Sequence, residues 1–156
     1  MVKRQPSRSG DAIKTSIDDA DVDLLARTLF GESRGDGQRG MEAVASVILN
    51  RRNHPTRWPN TTAGVVRQRL QFSAWNAWPA GSAGAANRRA MDQANDRDPV
   101  FRKALRIARK ALAGELEDRT RGADHFHATT MPQPPRWARG QTPTATIGRH
   151  RFFKLA

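Results

Sequence analysis

A chain of 156 residues suits one domain with its own hydrophobic core, and 37% hydrophobic with 27% charged residues marks a folded chain rather than a disordered one. It has no cysteine, which excludes disulfides, thiolate metal sites and cysteine nucleophiles and fixes no compartment. Lys and Arg number 27 against 15 acidic residues, a net charge of +12 and a pI near 11.6, so a polyanionic partner is expected: nucleic acid, an acidic membrane face or an anionic cell envelope.

Residues 1–20 read as a polar, flexible leader with Pro6, Ser7, Ser9 and Gly10. Its positive charges have no apolar stretch behind them, so it does not read as a secretory signal. No run approaches the roughly 18 apolar residues of a membrane-spanning helix. A first helix is predicted to begin near Asp18 to Asp21, where acids favour a helix N-terminus. Val22, Leu25, Ala26, Leu29 and Phe30 give it one apolar face, and Gly31, Gly35 and Gly37 are expected to end it. A second helix is predicted from about Gln38 to Arg52, burying Met41, Val44, Ala45 and Ile48 and stopped by Pro55 and Pro59. Residues 56–98 read as irregular, with a small-residue stretch from Ala80 to Ala86 and one short helix around Ala63–Leu70. A third strong helix is predicted over Pro99–Ala113, with Phe101, Leu105, Ala108 and Leu112 inward and Arg102, Lys103, Arg106, Arg109 and Lys110 covering the rest. Beyond Gly122 the chain turns short and aromatic, and two short strands are expected around His125-Phe126-His127 and Ile147–Phe153. The class is mainly α.

Glu32 is the first candidate for chemistry. It follows Leu25 by seven residues and Leu29 by three, which sets it on or beside the apolar face. It also lies at the C-terminal end of its helix, where the dipole disfavours negative charge. Burial and dipole both raise its pKa, a property that a glycosidase's general acid needs. A helix-end carboxylate paired with Arg34 or another arginine explains the position equally well. Asp36 and Glu42 are the candidates for a second carboxylate, but turn chemistry explains the first and the helix dipole the second. A single carboxylate still suffices where the substrate brings its own nucleophile, because one Glu can act as acid and then as base.

His125 and His127 share one side of a strand, with His150 further on; without an acidic residue at metalloenzyme spacing the set predicts no metal site, and no cofactor is called for. Trp58, Trp75 and Trp78 lie near Gln71, Ser73, Asn76 and Asn87. They fit either core positions or a carbohydrate groove in which indoles stack on sugar rings and amides bind hydroxyls. The basic helix at residues 99–113 is either a solvated face or a surface for anionic phospholipid or lipopolysaccharide.

Five segments in order resemble the SleB-like cell-wall hydrolases, the spore-cortex-lytic enzyme family. They are Leu25–Asp36, Gly40–Arg51, Gln71-Phe72-Ser73-Ala74-Trp75, Asp118–Phe126 and Ile147–Phe153. Ser33 and Asp36 stand where the family often has Ala and Glu. The resemblance implies a single, compact lysozyme- or lytic-transglycosylase-like domain over residues 21–156, mainly α with a few short strands. It also implies that the catalytic glutamate falls on Glu32, and that Gln71, Ser73, His125, Phe126 and His150 bind substrate, to which the groove reading of the indoles adds Trp75. Peptidoglycan is then the substrate, cut in its glycan strands with or without an anhydro sugar as product. A small, basic single domain of this kind resembles the endolysin of a phage or gene-transfer particle. Such an enzyme is expected to be monomeric, made in the host cytoplasm and active on the wall in the periplasm after release. Two other classes compete: a metal-dependent amidase or peptidase using His125, His127 and His150, and a basic nucleic-acid-binding protein. The second finds no helix-turn-helix, RNP-type segment or zinc knuckle to support it, so no specific nucleic acid is expected.

Overall fold

The computed structural model describes residues 16–68 and 71–156, so most of the expected leader and the last two residues of the short helix at 63–70 lie outside the described residues. The first helix, α1, spans Asp19–Ser33. It starts where the acids collect: the Asp18 side chain accepts from the Ala20 N–H at 2.8 Å, and Asp19 and Asp21 occupy the positive first turn. The helix does not end at Gly31. It continues through Gly31 and Glu32, because Gly31 is a packing position: a Cβ there would collide with Met91 Sδ and lie 2.9 Å from the Ala74 Cβ. The real break is a 3₁₀ turn at Arg34–Asp36, followed by Gly37 at φ 69°, a conformation that favours glycine.

The second helix, α2, covers Gly37–Asn53 and is buried on two sides. Met41, Val44, Ala45 and Ile48 join the main core with α1, while Ala43 and Val47 face a smaller apolar cluster under the sheet. A short helix, α3, runs over Thr62–Arg67, with the Thr61 hydroxyl accepting from Gly64 N–H at 3.0 Å. The small-residue stretch expected to be irregular holds a helix, α4, at Ala83–Gln93. Ser82 caps its start, and its interior alanines favour helix although they leave little apolar periodicity to read. Its C-terminal end is tied to α1: the Arg27 guanidinium donates to the carbonyls of Met91 and Ala94, groups that would otherwise lack partners.

The fifth helix, α5, spans Pro99–Leu112 behind an Asp98 cap, with Pro99 at its first turn as predicted. Its buried face is Phe101, Ala104, Ile107, Ala108 and Ala111; Leu105 and Leu112, expected inward, are half-buried at its edges. α5 lies across α1 and α2, and Phe30 meets Phe101 edge-on at 5.8 Å. Fully burying residues such as Leu25, Leu29 and Ile48 contributes about 1.5–3 kcal/mol each.

Three strands form where two were expected: β1 (His125–Ala128), β2 (Ala145–Ile147) and β3 (His150–Phe153). They make an antiparallel sheet in the order β1-β3-β2, with Phe126 opposite Phe152 and Ala128 opposite His150. Alternation sorts the side chains. Phe126, Phe152, His150, Ala145 and Ile147 share one face, the one that packs through Phe152 against Ala43 and Val47 of α2. His125, His127, Arg151 and Phe153 share the other. The result is a mainly helical domain with a small sheet at one edge, as the sequence led us to expect.

Candidate active site

The end of α1, the turn after it, α4 and the edges of β1 and β3 enclose a cleft of about 410 Å³. Glu32 lines it together with Arg34, Asp36, Asn87, Thr130, Arg149 and His150. Glu32 is half-buried, and its Oε1 accepts from the Ala74 backbone N–H at 3.0 Å. Burial raises its pKa above the usual carboxylate value, and the hydrogen bonds from Ala74 and from the Ser73 side chain offset part of that rise. The Gln71–Trp75 segment therefore reaches the site through Ser73 and Ala74, with Gly31 allowing the close approach. Among the described residues, no cation stands within ion-pair distance of Glu32, so the expected alternative of a pair with Arg34 is not what the geometry shows. Arg34 instead donates to the Phe30 carbonyl and to Asn87 Oδ1, and Asn87 in turn donates to the Gly31 carbonyl at 3.1 Å. That lattice fixes the cleft wall to α1.

Asp36, the other carboxylate in the cleft, is already committed. Its Oδ1 accepts from the Arg149 backbone N–H and Nε, both at 3.2 Å, and its Oδ2 lies 2.9 Å from His150 Nδ1. The His150 contact has ion-pair distance. Asp36 thereby ties the turn between β2 and β3 to the end of α1. Burial lowers the pKa of His150, and the charge of Asp36 counters it. Glu42 stands apart, accepting from Gln38 Nε2 at 2.8 Å in a different hollow beside Lys103, Arg106 and Lys110.

The remaining expected substrate residues spread further. His150 lines the cleft, and Phe126 packs edge-on against it at 5.2 Å. Gln71 is exposed and accepts from Arg51 Nη1 at 3.2 Å, away from the cleft lining. Trp75 lies against the core, its Nε1 donating to the Thr28 hydroxyl at 2.9 Å, with Arg88 over its ring. Trp58 also packs on the core, whereas Trp78 is exposed and donates to the Ser73 carbonyl. Asn76 is half-buried and outside the cleft lining. His125 lies on the opposite sheet face from His150, held by Asp124 at 2.7 Å and flanked by Trp58 and Trp137. Burial lowers its pKa despite that carboxylate. His127 is buried on the same side, stacked on Phe153. The three histidines expected for a metal amidase therefore do not converge, because strand alternation sends His125 and His127 one way and His150 the other.

Residues 35–153 match the cell wall hydrolase family. The chain belongs to that family. The matched span opens just after Glu32, at Gly35. The chain is similar to the spore cortex-lytic enzyme of Bacillus subtilis, at 40% identity over 72 residues, which is 44% of this chain and 23% of that protein. It is also similar to that of Halalkalibacterium halodurans, at 42% over 62 residues, 40% of this chain and 18% of that protein. The matched stretches thus cover less than a quarter of those relatives' length. Among solved structures, the catalytic domain of Bacillus cereus SleB superposes with a TM-score of 0.66 at 26% identity, covering 90% of this chain and 94% of that one. The catalytic domain of the germination-specific lytic transglycosylase SleB of Bacillus anthracis gives 0.63 at 25%, covering 91% and 100%. This cell wall hydrolase has the lysozyme-like fold of those domains.

Three cleft residues and one buried arginine outside the cleft are not legible in the sequence. Arg34, Thr130 and Arg149 carry no periodic signal, and Arg34 was weighed only as a partner for Glu32. Arg51, outside the cleft lining, shows in the sequence only as part of the second helix. It is buried, donates to the Asp124 carbonyl, and its pKa is pushed down to about 10 by desolvation. It links α2 to the strand that carries His125 and Phe126.

Proposed function

We propose that this protein cleaves the glycan strands of peptidoglycan as a lytic transglycosylase, with Glu32 as acid and then base. The observation that carries this reading is Glu32 itself: a desolvated carboxylate with no cationic partner among the described residues, lining a cleft whose other carboxylate is bound to Arg149 and His150. Burial raises the pKa of Glu32 and so favours its protonated, proton-donating form. That proton passes to the bridging oxygen as the bond from the muramic anomeric carbon to that oxygen breaks. The 6-hydroxyl oxygen of the same sugar bonds to the anomeric carbon, and its proton returns to Glu32. No water is consumed, and an anhydro sugar forms. A hydrolysing pair of carboxylates is disfavoured because Asp36 holds the β2–β3 turn in place. Membership in the cell wall hydrolase family and similarity to a lytic transglycosylase domain support the same reading.

The test is to digest Gram-negative peptidoglycan with the wild type and with Glu32→Gln and to identify the soluble products by mass spectrometry. Anhydro-muramyl products from the wild type and none from the variant are expected. Reducing-end products heavier by one water would replace transglycosylation with hydrolysis. Free stem peptides would overturn glycan cleavage.

A role as an endolysin acting in the periplasm after release, as a monomer, is part of the same proposal. It is supported by the +12 charge, and by the exposed Arg102, Arg106, Arg109 and Lys110 of α5, which suit anionic lipopolysaccharide or phospholipid.

A further inference from the structure

Beside the cleft lies a second, larger groove of about 630 Å³, and Asp36 lines both. Its wall carries three guanidinium groups: Arg39 from the first turn of α2, and Arg119 and Arg121 from the loop before β1. Two observations make this a built surface rather than scattered charge. First, the loop is fixed from inside. Asp118 accepts from Asn50 Nδ2 and Gly122 N–H, each at 2.9 Å, and from the backbone and hydroxyl of Thr120. Burial alone would raise the Asp118 pKa, but those hydrogen bonds outweigh it and keep the carboxylate ionised. Second, Arg121 sits at φ 58°, the one non-glycine residue with positive φ among the described residues. A left-handed conformation costs an ordinary side chain about 1–2 kcal/mol, so the loop holds Arg121 where free backbone preference would not.

The charge in this groove is largely unspent. Among the described residues, Arg39 and Arg121 have no carboxylate within ion-pair distance. Arg119 reaches only Glu117, at 3.4 Å, and both are exposed, a weak pair. Asp36 is occupied by Arg149 and His150. The exposed Thr146 adds a hydroxyl to the wall.

We infer that this groove binds the carboxylates of the peptide stems that hang from the glycan strand, so that the enzyme prefers stem-bearing peptidoglycan. The inference rests on the glycan-cleaving reading. The saccharide backbone between stems offers no charge to three arginines, whereas each intact stem carries free carboxylates. A guanidinium fork matches a carboxylate with two parallel hydrogen bonds. The shared wall at Asp36 sets the groove next to the cleft, so a strand lying over Glu32 would bring a neighbouring stem toward Arg39, Arg119 and Arg121.

The test uses a soluble glycan–peptide oligomer and the same oligomer with its carboxylates amidated. Binding to the full chain is measured by calorimetry in a Glu32→Gln background, which prevents turnover. Amidation is expected to weaken binding about tenfold, which is what three exposed charge pairs contribute together. Adding Arg39→Gln, Arg119→Gln and Arg121→Asn should weaken binding of the native oligomer to the same degree and abolish sensitivity to amidation. Asparagine is chosen at 121 because it tolerates left-handed backbone. Arg39→Gln alone leaves the loop untouched and should remove a two- to threefold part of the effect. Equal sensitivity to amidation with and without the arginines, or none in either, overturns the inference. A wild type that releases no glycan fragments overturns the cleavage reading instead, while charge-dependent binding through the arginines would still be read directly.

Discussion

Replacing Gly31 with alanine sets helix propensity against packing at the point where α1 meets the Ser73–Trp75 turn. In an exposed helix the change would stabilise by about 1 kcal/mol. Here the new methyl would collide with Met91 Sδ and lie 2.9 Å from both Met91 Cγ and the Ala74 Cβ. Met91 is fully buried and Ala74 nearly so, and neither has open space to retreat into. Overpacking of this kind costs about 1–3 kcal/mol, so the net expectation is a loss of about 1 kcal/mol, or roughly 3 °C in Tm for a chain of this size. The functional consequence runs through the same atoms. Ala74 N–H is the donor to Glu32 Oε1, and displacing it withdraws a hydrogen bond to a carboxylate, worth about 1.5–3 kcal/mol. Peptidoglycan turnover should fall about tenfold. Because that N–H lowers the pKa of Glu32, its withdrawal should move the alkaline limb of the activity profile to higher pH. Urea unfolding and turbidity clearance of purified sacculi across pH measure the two effects. A Gly31→Ala variant as stable and as active as the wild type would show that Met91 and Ala74 yield freely, and would refute the claim that glycine is required for this approach.

Glu32→Gln should be more stable than the wild type at pH 7, by about 1 kcal/mol, the scale of gain found when a functionally strained group is neutralised. The folded pKa of Glu32 lies above its ordinary value of 4.5, so its contribution to stability is fully present below that value and is lost as pH rises through the folded pKa. The gap between variant and wild type should therefore close near pH 4; a gap that is the same at both pH values would refute burial as the cause. Asp36→Asn should cost about 1 kcal/mol by releasing the β2–β3 turn. It should also drop the His150 pKa further below 6.5, since Asp36 counters the effect of burial. An NMR titration of His150 that is unchanged by the substitution would show that the ion pair is not formed in solution.

The helical core was legible because it rests on local periodicity. Val22, Leu25 and Leu29 in α1, Met41, Val44 and Ile48 in α2, and Phe101 and Ala108 in α5 all fall where a 3.6-residue repeat puts them. Glu32 was legible as a perturbed acid for the same reason, since its place beside an apolar face and at a helix C-terminus is a property of one segment. What lay beyond the sequence depends on atoms brought together from distant segments. Gly31 reads as a helix breaker until Met91 and Ala74 are known to stand against it. α4 escaped notice because alanine and glycine mark no face, and its place is set by Arg27 of α1 binding its last carbonyls. Asp36 looks like an ordinary turn residue, and only the fold shows it gripping Arg149 and His150 more than a hundred positions away. Spacing predicted that His125 and His127 would point together. Whether His150 would join them depended on strand register, which long-range pairing decides, and register put it on the opposite face, in the cleft with Glu32.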